Sequence, residues 1–175
     1  LESGNGSQWS EATGCVVNGN KPHTGSISFE CVSEEGTPVL TYKTLNSPAR
    51  EIYMTFWIWF PTNMNLGPDL NAHWWRWYGP GWSGAMIDAG GNIHPGYFQQ
   101  CPVVYGKRTG EMWFECIGPL NLFTGTWHRY EALINQGDPN VANGSFKIWI
   151  DGAVVFNKTN VVMRDDPETI WGDFV

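Results

Sequence analysis

The stretch Glu51–Phe60 constrains this chain more than any other. It reads E-I-Y-M-T-F-W-I-W-F, with Ile52, Met54, Phe56, Ile58 and Phe60 on one period-two face and Tyr53, Thr55, Trp57 and Trp59 on the other. Such alternation marks a strand, because successive side chains of a strand point to opposite faces of its sheet. The aliphatic and phenyl face belongs in a core. The opposite face carries too much aromatic area to be ordinary solvent-facing surface. Pro61 ends the strand, Thr62–Asp69 reads as a loop, and Leu70–Tyr78 (L-N-A-H-W-W-R-W-Y) gives a second aromatic strand stopped by Gly79-Pro80-Gly81. The two strands are expected to neighbour each other in one sheet.

The rest of the chain repeats the pattern. Strands are expected near Ser26–Cys31, Val39–Lys43, Gly84–Asp88, Gly96–Gln100 and Met112–Ile117, with Gly90-Gly91-Asn92 as a tight turn. Thr126–Asn135, Ser145–Ile150 and Ala153–Phe156 form the clearest run of hairpins, the last two joined by Asp151-Gly152, a type I′ turn signal. Residues 1–25 are rich in Gly, Ser and Asn, which predicts a loosely ordered start held by Trp9 and Cys15. No helical periodicity, internal repeat or linker interrupts the sequence. With 175 residues, 21 Gly, 11 Pro, 11 Trp and only 15% charged residues, the expectation is one all-β domain spanning 1–175, a two-sheet antiparallel sandwich.

Four cysteines, Cys15, Cys31, Cys101 and Cys116, have no Cys-x-x-Cys spacing of a zinc site. Cys15–Cys31 with Cys101–Cys116 is the preferred of three pairings, which makes the sandwich disulfide-stapled and points to a secreted, extracellular protein. Sequons at Asn5, Asn143 and Asn157 point the same way as candidate glycosylation sites. The N-terminus has no signal-peptide pattern, so a secreted form would be a mature one, and no apolar run reaches membrane-spanning length. A net charge of −7 argues against nucleic acid or an anionic membrane as partner and favours neutral over anionic glycans.

Gly125-Thr126-Trp127-His128-Arg129-Tyr130-Glu131, followed by Asn143–Gly152 (N-G-S-F-K-I-W-I-D-G), resembles the concanavalin A-like lectin/glucanase superfamily. Glu51–Met54, Trp59-Phe60-Pro61 and Arg76–Pro80 look like matching strands of its laminin-G-like and polysaccharide-lyase-like branches. The resemblance implies a jelly-roll sandwich over roughly residues 26–172. It leaves lectins, binding modules, lyases, hydrolases and adhesion domains all open, since a fold does not decide a function. Domains of this kind close with a "Y-x-D-D-V"-like strand, whereas this chain reads Trp171-Gly172-Asp173-Phe174-Val175, so a missing closing strand is expected. The N-terminal segment could fill that slot, the sequence could continue beyond Val175, or a neighbouring chain could supply the strand by exchange in an extracellular fibre.

The leading functional expectation is a lectin-like module that stacks sugar rings on Trp57, Trp59, Trp75 and Trp77, with His73, Arg76 and Gln99 fixing orientation. The alternative is a polysaccharide lyase or hydrolase of the same fold, and the sequence leaves the choice between binding and cleavage open. A lyase needs a group to neutralise a uronate carboxylate and a base within reach of the adjacent proton, and His73, Arg76 and Tyr97 supply those types, with His94 beside them. A glucanase pair is not seen: Glu111 and Glu115, four apart on one expected strand, would be separated by about 13 Å. No cofactor is expected. Calcium is a candidate ligand for the loop carboxylates Asp88, Asp151, Asp165 and Asp166, although no metal site is assigned.

Overall fold

Strand-forming alternation runs almost the length of the chain, and every regular element in the described residues is a strand. The computed structural model describes residues 11–31, 40–62, 71–78, 86–94, 97–106, 110–122, 124–166 and 171–174. Trp9 and the Asn5 sequon lie outside them. The strands are β1 Glu11–Thr13, β2 Cys15–Asn18, β3 Ser28–Cys31, β4 Leu40–Ala49, β5 Glu51–Trp59, β6 Asn71–Tyr78 and β7 Met86–His94. They continue with β8 Tyr97–Gly106, β9 Gly110–Trp113, β10 Ile117–Leu120, β11 Trp127–Asn135, β12 Gly144–Ile150, β13 Ala153–Val161 and β14 Trp171–Phe174.

An eight-stranded sheet has the order β1-β4-β14-β6-β7-β8-β10, with β9 also pairing β8. A four-stranded sheet runs β13-β12-β11-β5, and β2 and β3 form a separate hairpin. All pairings are antiparallel. The chain changes sheet between β4 and β5 at Arg50.

The core lies between the two sheets. Every second residue of β12 is buried, and Ile52, Tyr130, Ala132, Ile134, Phe146, Ile148, Ile150 and Phe156 form its small-sheet side. Trp75 and Trp77 are buried with them, at 1% and 5% exposure. Trp75 meets Tyr130 and Phe146 edge-on at centroid distances of 6.2 and 6.0 Å, within the range favoured by aromatic pairs. Asp151 and Gly152 have φ of 52° and 81°, the left-handed pair that a type I′ turn requires, so the β12–β13 hairpin is as expected.

Several expectations are corrected. The strands β5 and β6 belong to different sheets, because each has an inward hydrophobic face and a sandwich packs the inward faces of its two sheets against one core. The strand expected to be missing is present: β14 lies between β4 and β6, with Phe174 opposite Lys43 and Trp77. Gly90-Gly91-Asn92 is strand within β7, not a turn. The expected Met112–Ile117 strand is broken into β9 and β10. Two strands, β1 and β2, occur in the N-terminal stretch expected to be loose.

Cys15 and Cys31 are bonded across the β2–β3 ladder, where they are register partners. Cys116 is disulfide-bonded too. The β8–β10 ladder pairs Gln100 with Ile117, which carries the backbone of position 101 opposite position 116.

Candidate functional site

The polar residues singled out in the sequence fall on three adjacent strands of the large sheet. Along β6 the register pairs His73 with Gly90 but Arg76 with Asp88, so three residues of β6 span two of β7. The extra residue is a β-bulge, and it reverses the alternation. Position 73, which strict alternation groups with Trp75 and Trp77, is thereby moved to the face of position 76.

From Met86 opposite Tyr105 to His94 opposite Tyr97, the β7–β8 ladder is unbroken. Pro102 is buried and pairs with Ala89, which fixes the inward positions of both strands. Positions 88, 90, 92 and 94 of β7 and 97, 99 and 101 of β8 then share the outer face, together with 73 and 76 of β6.

Within that face the register makes a compact block. Asn92 is opposite Gln99, and His94 is opposite Tyr97. Paired positions are about 5 Å apart and successive outward positions about 7 Å apart, so positions 92, 94, 97 and 99 fall within one small patch of the face. His73 and Arg76 flank it from β6. Asn92 is the residue that sequence reasoning missed. Its signal is present in I-D-A-G-G-N-I-H, where Ile87, Ala89 and Ile93 alternate with Asp88, Asn92 and His94, but the Gly-Gly pair carries a turn signal that masks the strand.

The tryptophans divide differently from the expectation. Trp75 and Trp77 are core residues and cannot stack a sugar. Trp57, 44% exposed, and Trp59 lie on the outer face of the small sheet, on the opposite side of the sandwich from the polar block. The β2–β3 hairpin reaches this face. His23 stacks on Trp57 with centroids 3.8 Å apart and meets Trp127 edge-on, and Lys21 Nζ lies 5.0 Å from the centre of the Trp59 ring. Further along, Tyr53 Oη donates to Glu131 Oε1 at 2.6 Å, and Arg129 Nη2 contacts Glu131 Oε2 at 2.8 Å. The Glu131 hydrogen bond, with some burial and the carboxylate's charge, raises the Tyr53 phenol above its ordinary pKa.

The candidate carboxylates do not converge. Asp151 Oδ2 contacts His128 Nδ1 at 2.7 Å and Asp151 Oδ1 accepts the Arg129 N–H at 2.8 Å, while His128 Nε2 meets Thr124 Oγ1 at 2.7 Å. Burial alone would raise the Asp151 carboxyl, but these hydrogen bonds bring it below its ordinary value. Asp165 and Asp166 are buried next to Arg164 in the chain, and Asp88 is opposite Arg76. No group of three His, Cys, Asp or Glu suited to a metal occurs among the described residues. Glu111 is in β9, whereas Glu115 lies beyond its end and pairs with Lys158 Nζ at 3.0 Å, so the two do not share a strand. The Asn143 side chain is engaged at both ends by Asp138, and Asn157 is exposed on β13.

No protein-family model matches the chain, and no curated protein matches it. Solved structures do. The endo-beta-1,4-glucuronan lyase of the fungus Trichoderma reesei superposes with a TM-score of 0.71 at 16% identity, over 98% of this chain and 80% of that one. The alginate lyase Aly36B gives 0.58 at 14% identity, over 96% of this chain and 72% of that one. A doubly substituted form of Aly36B in complex with alginate trisaccharide gives 0.55 at 15% identity, over 79% and 63%. At such identities the likeness speaks for the fold, and it agrees with the antiparallel sheets of this chain. This chain has the concanavalin A-like jelly-roll fold, the fold shared by these polysaccharide lyases.

Proposed function

We propose that this chain is a secreted polysaccharide lyase for a uronate-containing glycan, with its site on the outer face of the eight-stranded sheet. The observation that carries the reading is the β7–β8 register, which sets Asn92 opposite Gln99 and His94 opposite Tyr97. Lyase cleavage is a β-elimination. A base removes the proton from the ring carbon that bears the carboxylate, that electron pair forms a C=C bond, and the glycosidic oxygen leaves with a proton. The carbanion-like charge spreads onto the carboxylate, so donors there lower the barrier. In this reading the Asn92 and Gln99 amides hold the carboxylate, His94 takes the proton, and Tyr97 protonates the leaving oxygen. His73 and Arg76 bind neighbouring sugars.

This replaces the lectin-like reading and its preference for neutral glycans. The solved lyases are named for glucuronan and alginate, which are polyanions. Net charge on the whole chain is screened beyond about 8 Å at physiological salt, whereas a bound carboxylate interacts with donors in direct contact. The disulfides fit an oxidising compartment.

The test is ultraviolet detection of the unsaturated uronate formed from polyglucuronate and from alginate. Wild type is expected to generate it, and His94→Ala and Tyr97→Phe to slow it by about 100-fold or more while remaining folded. Absence of the unsaturated product with both polymers would sink the lyase reading, and binding without cleavage would restore the lectin-like one.

A further inference from the structure

The outer face of the small sheet has no place in the lyase reading, yet its side chains are arranged in a definite way. Its central strand β11 presents Arg129 and Glu131, which are paired with each other. Aromatic rings flank them on both neighbouring strands. Trp57 is the register partner of Arg129 on β5, Trp149 is the partner of Glu131 on β12, and Tyr53, 58% exposed, holds Glu131 through its hydroxyl. Strand spacing spreads the three rings over about 10 to 13 Å. Lys147 Nζ lies 4.7 Å from the centre of the Trp149 ring.

The order of these groups argues for a sugar rather than a protein partner. A protein interface buries an apolar centre inside a polar rim, and a dry contact over an ion pair loses the hydration of both charges. Here the charges are central and the rings peripheral. A polysaccharide matches this, because its C–H faces stack on rings such as the exposed Tyr53 while its hydroxyls bond to the half-exposed Arg129 guanidinium, which Glu131 holds in place; one face of Trp57 is taken by His23. Charge narrows the class. Lys21, Arg129 and Lys147 outnumber Glu51 and Glu131 on this face of a chain whose net charge is −7.

We propose that this face is a second polysaccharide-binding surface, on the opposite side of the sandwich from the lyase face, and that it holds a uronate-bearing chain. It would keep the enzyme on polymer between cleavages.

The test is affinity electrophoresis through gels containing alginate, or hydroxyethyl cellulose as a neutral comparator, in a His94→Ala background so that binding is read without cleavage and whether or not the lyase reading holds. Alginate is expected to retard the protein. Tyr53→Ala with Trp149→Ala is expected to weaken retardation by about tenfold per ring, with the melting transition retained as a control for folding, and Arg129→Gln to lessen its salt dependence. With His94 restored, cleavage of a short oligouronate should be unchanged by the ring substitutions. Unchanged retardation in the face variants, retardation by the neutral polymer alone, or self-association that the same substitutions abolish would each overturn the proposal.

Discussion

Two pairs of tryptophans have the same spacing in the sequence and opposite fates. Trp75 and Trp77 on β6 are in the core, and Trp57 and Trp59 on β5 face outward. The difference comes from what else each strand carries. In β5 the alternate positions Ile52, Met54, Phe56 and Ile58 take the core side, so its tryptophans are left outside. In β6 the alternate positions include Arg76 and Tyr78, and the indoles are the more favourable groups to bury. A ring's role follows from its competitors on the same strand.

The comparison can be broken by measuring what each ring contributes. Trp75→Ala is expected to cost about 3 to 5 kcal/mol and Trp57→Ala less than about 1 kcal/mol, as read by urea unfolding. Similar losses at the two sites would overturn the assignment of core and surface. Next in size, Cys15→Ser with Cys31→Ser opens a closure of sequence separation 16 and is expected to lower stability by roughly 3 kcal/mol. The same change should alter Trp57 fluorescence, because the hairpin that carries His23 is no longer pinned. No change in fluorescence would mean that the hairpin is held by other contacts.

A smaller gain is expected at the buried end of β11. Both amide atoms of Gln136, which is fully buried, lack a hydrogen-bond partner. Gln136→Met keeps the volume and removes the unpaired polar atoms, so the midpoint of unfolding should rise by about 1 kcal/mol equivalent. A fall would mean that the amide is satisfied by bound water. Smallest is the pH effect at Asp151. Its carboxyl is held below 3.8 in the fold, so the unfolded chain binds the proton more readily. The stabilisation is complete above that ordinary value and is lost as pH falls through the lowered one. Asp151→Asn should therefore flatten the acid limb of melting temperature against pH, by only about 0.5 kcal/mol given the exposure of the carboxylate. An acid limb as steep as that of wild type would assign the effect to other carboxylates.

Much of the fold was legible because alternation is local. The core face of β5, the hairpin at Asp151-Gly152 and the Cys15–Cys31 pair all follow from neighbours in sequence. The candidate site was legible only in part. Residue type points to His73, Arg76, Tyr97 and Gln99, and the register puts positions 73, 76, 97 and 99 on one face, whereas Asn92 is hidden behind the turn signal of a glycine pair. The grouping of Trp57 and Trp59 with Trp75 and Trp77 failed because alternation says which residues share a strand face and nothing about which sheet the strand joins.

The sequence by itself determined the strand content, the inward and outward faces of β5, β11 and β12, and the position of the tightest turn, since each depends on side-chain periodicity and local φ preferences. Only the tertiary structure decided which strands are neighbours, that β14 enters the large sheet between β4 and β6, and that a bulge in β6 turns position 73 to the face of position 76. Those depend on pairing between segments far apart in the chain, where register is chosen by which hydrophobic faces can be buried together.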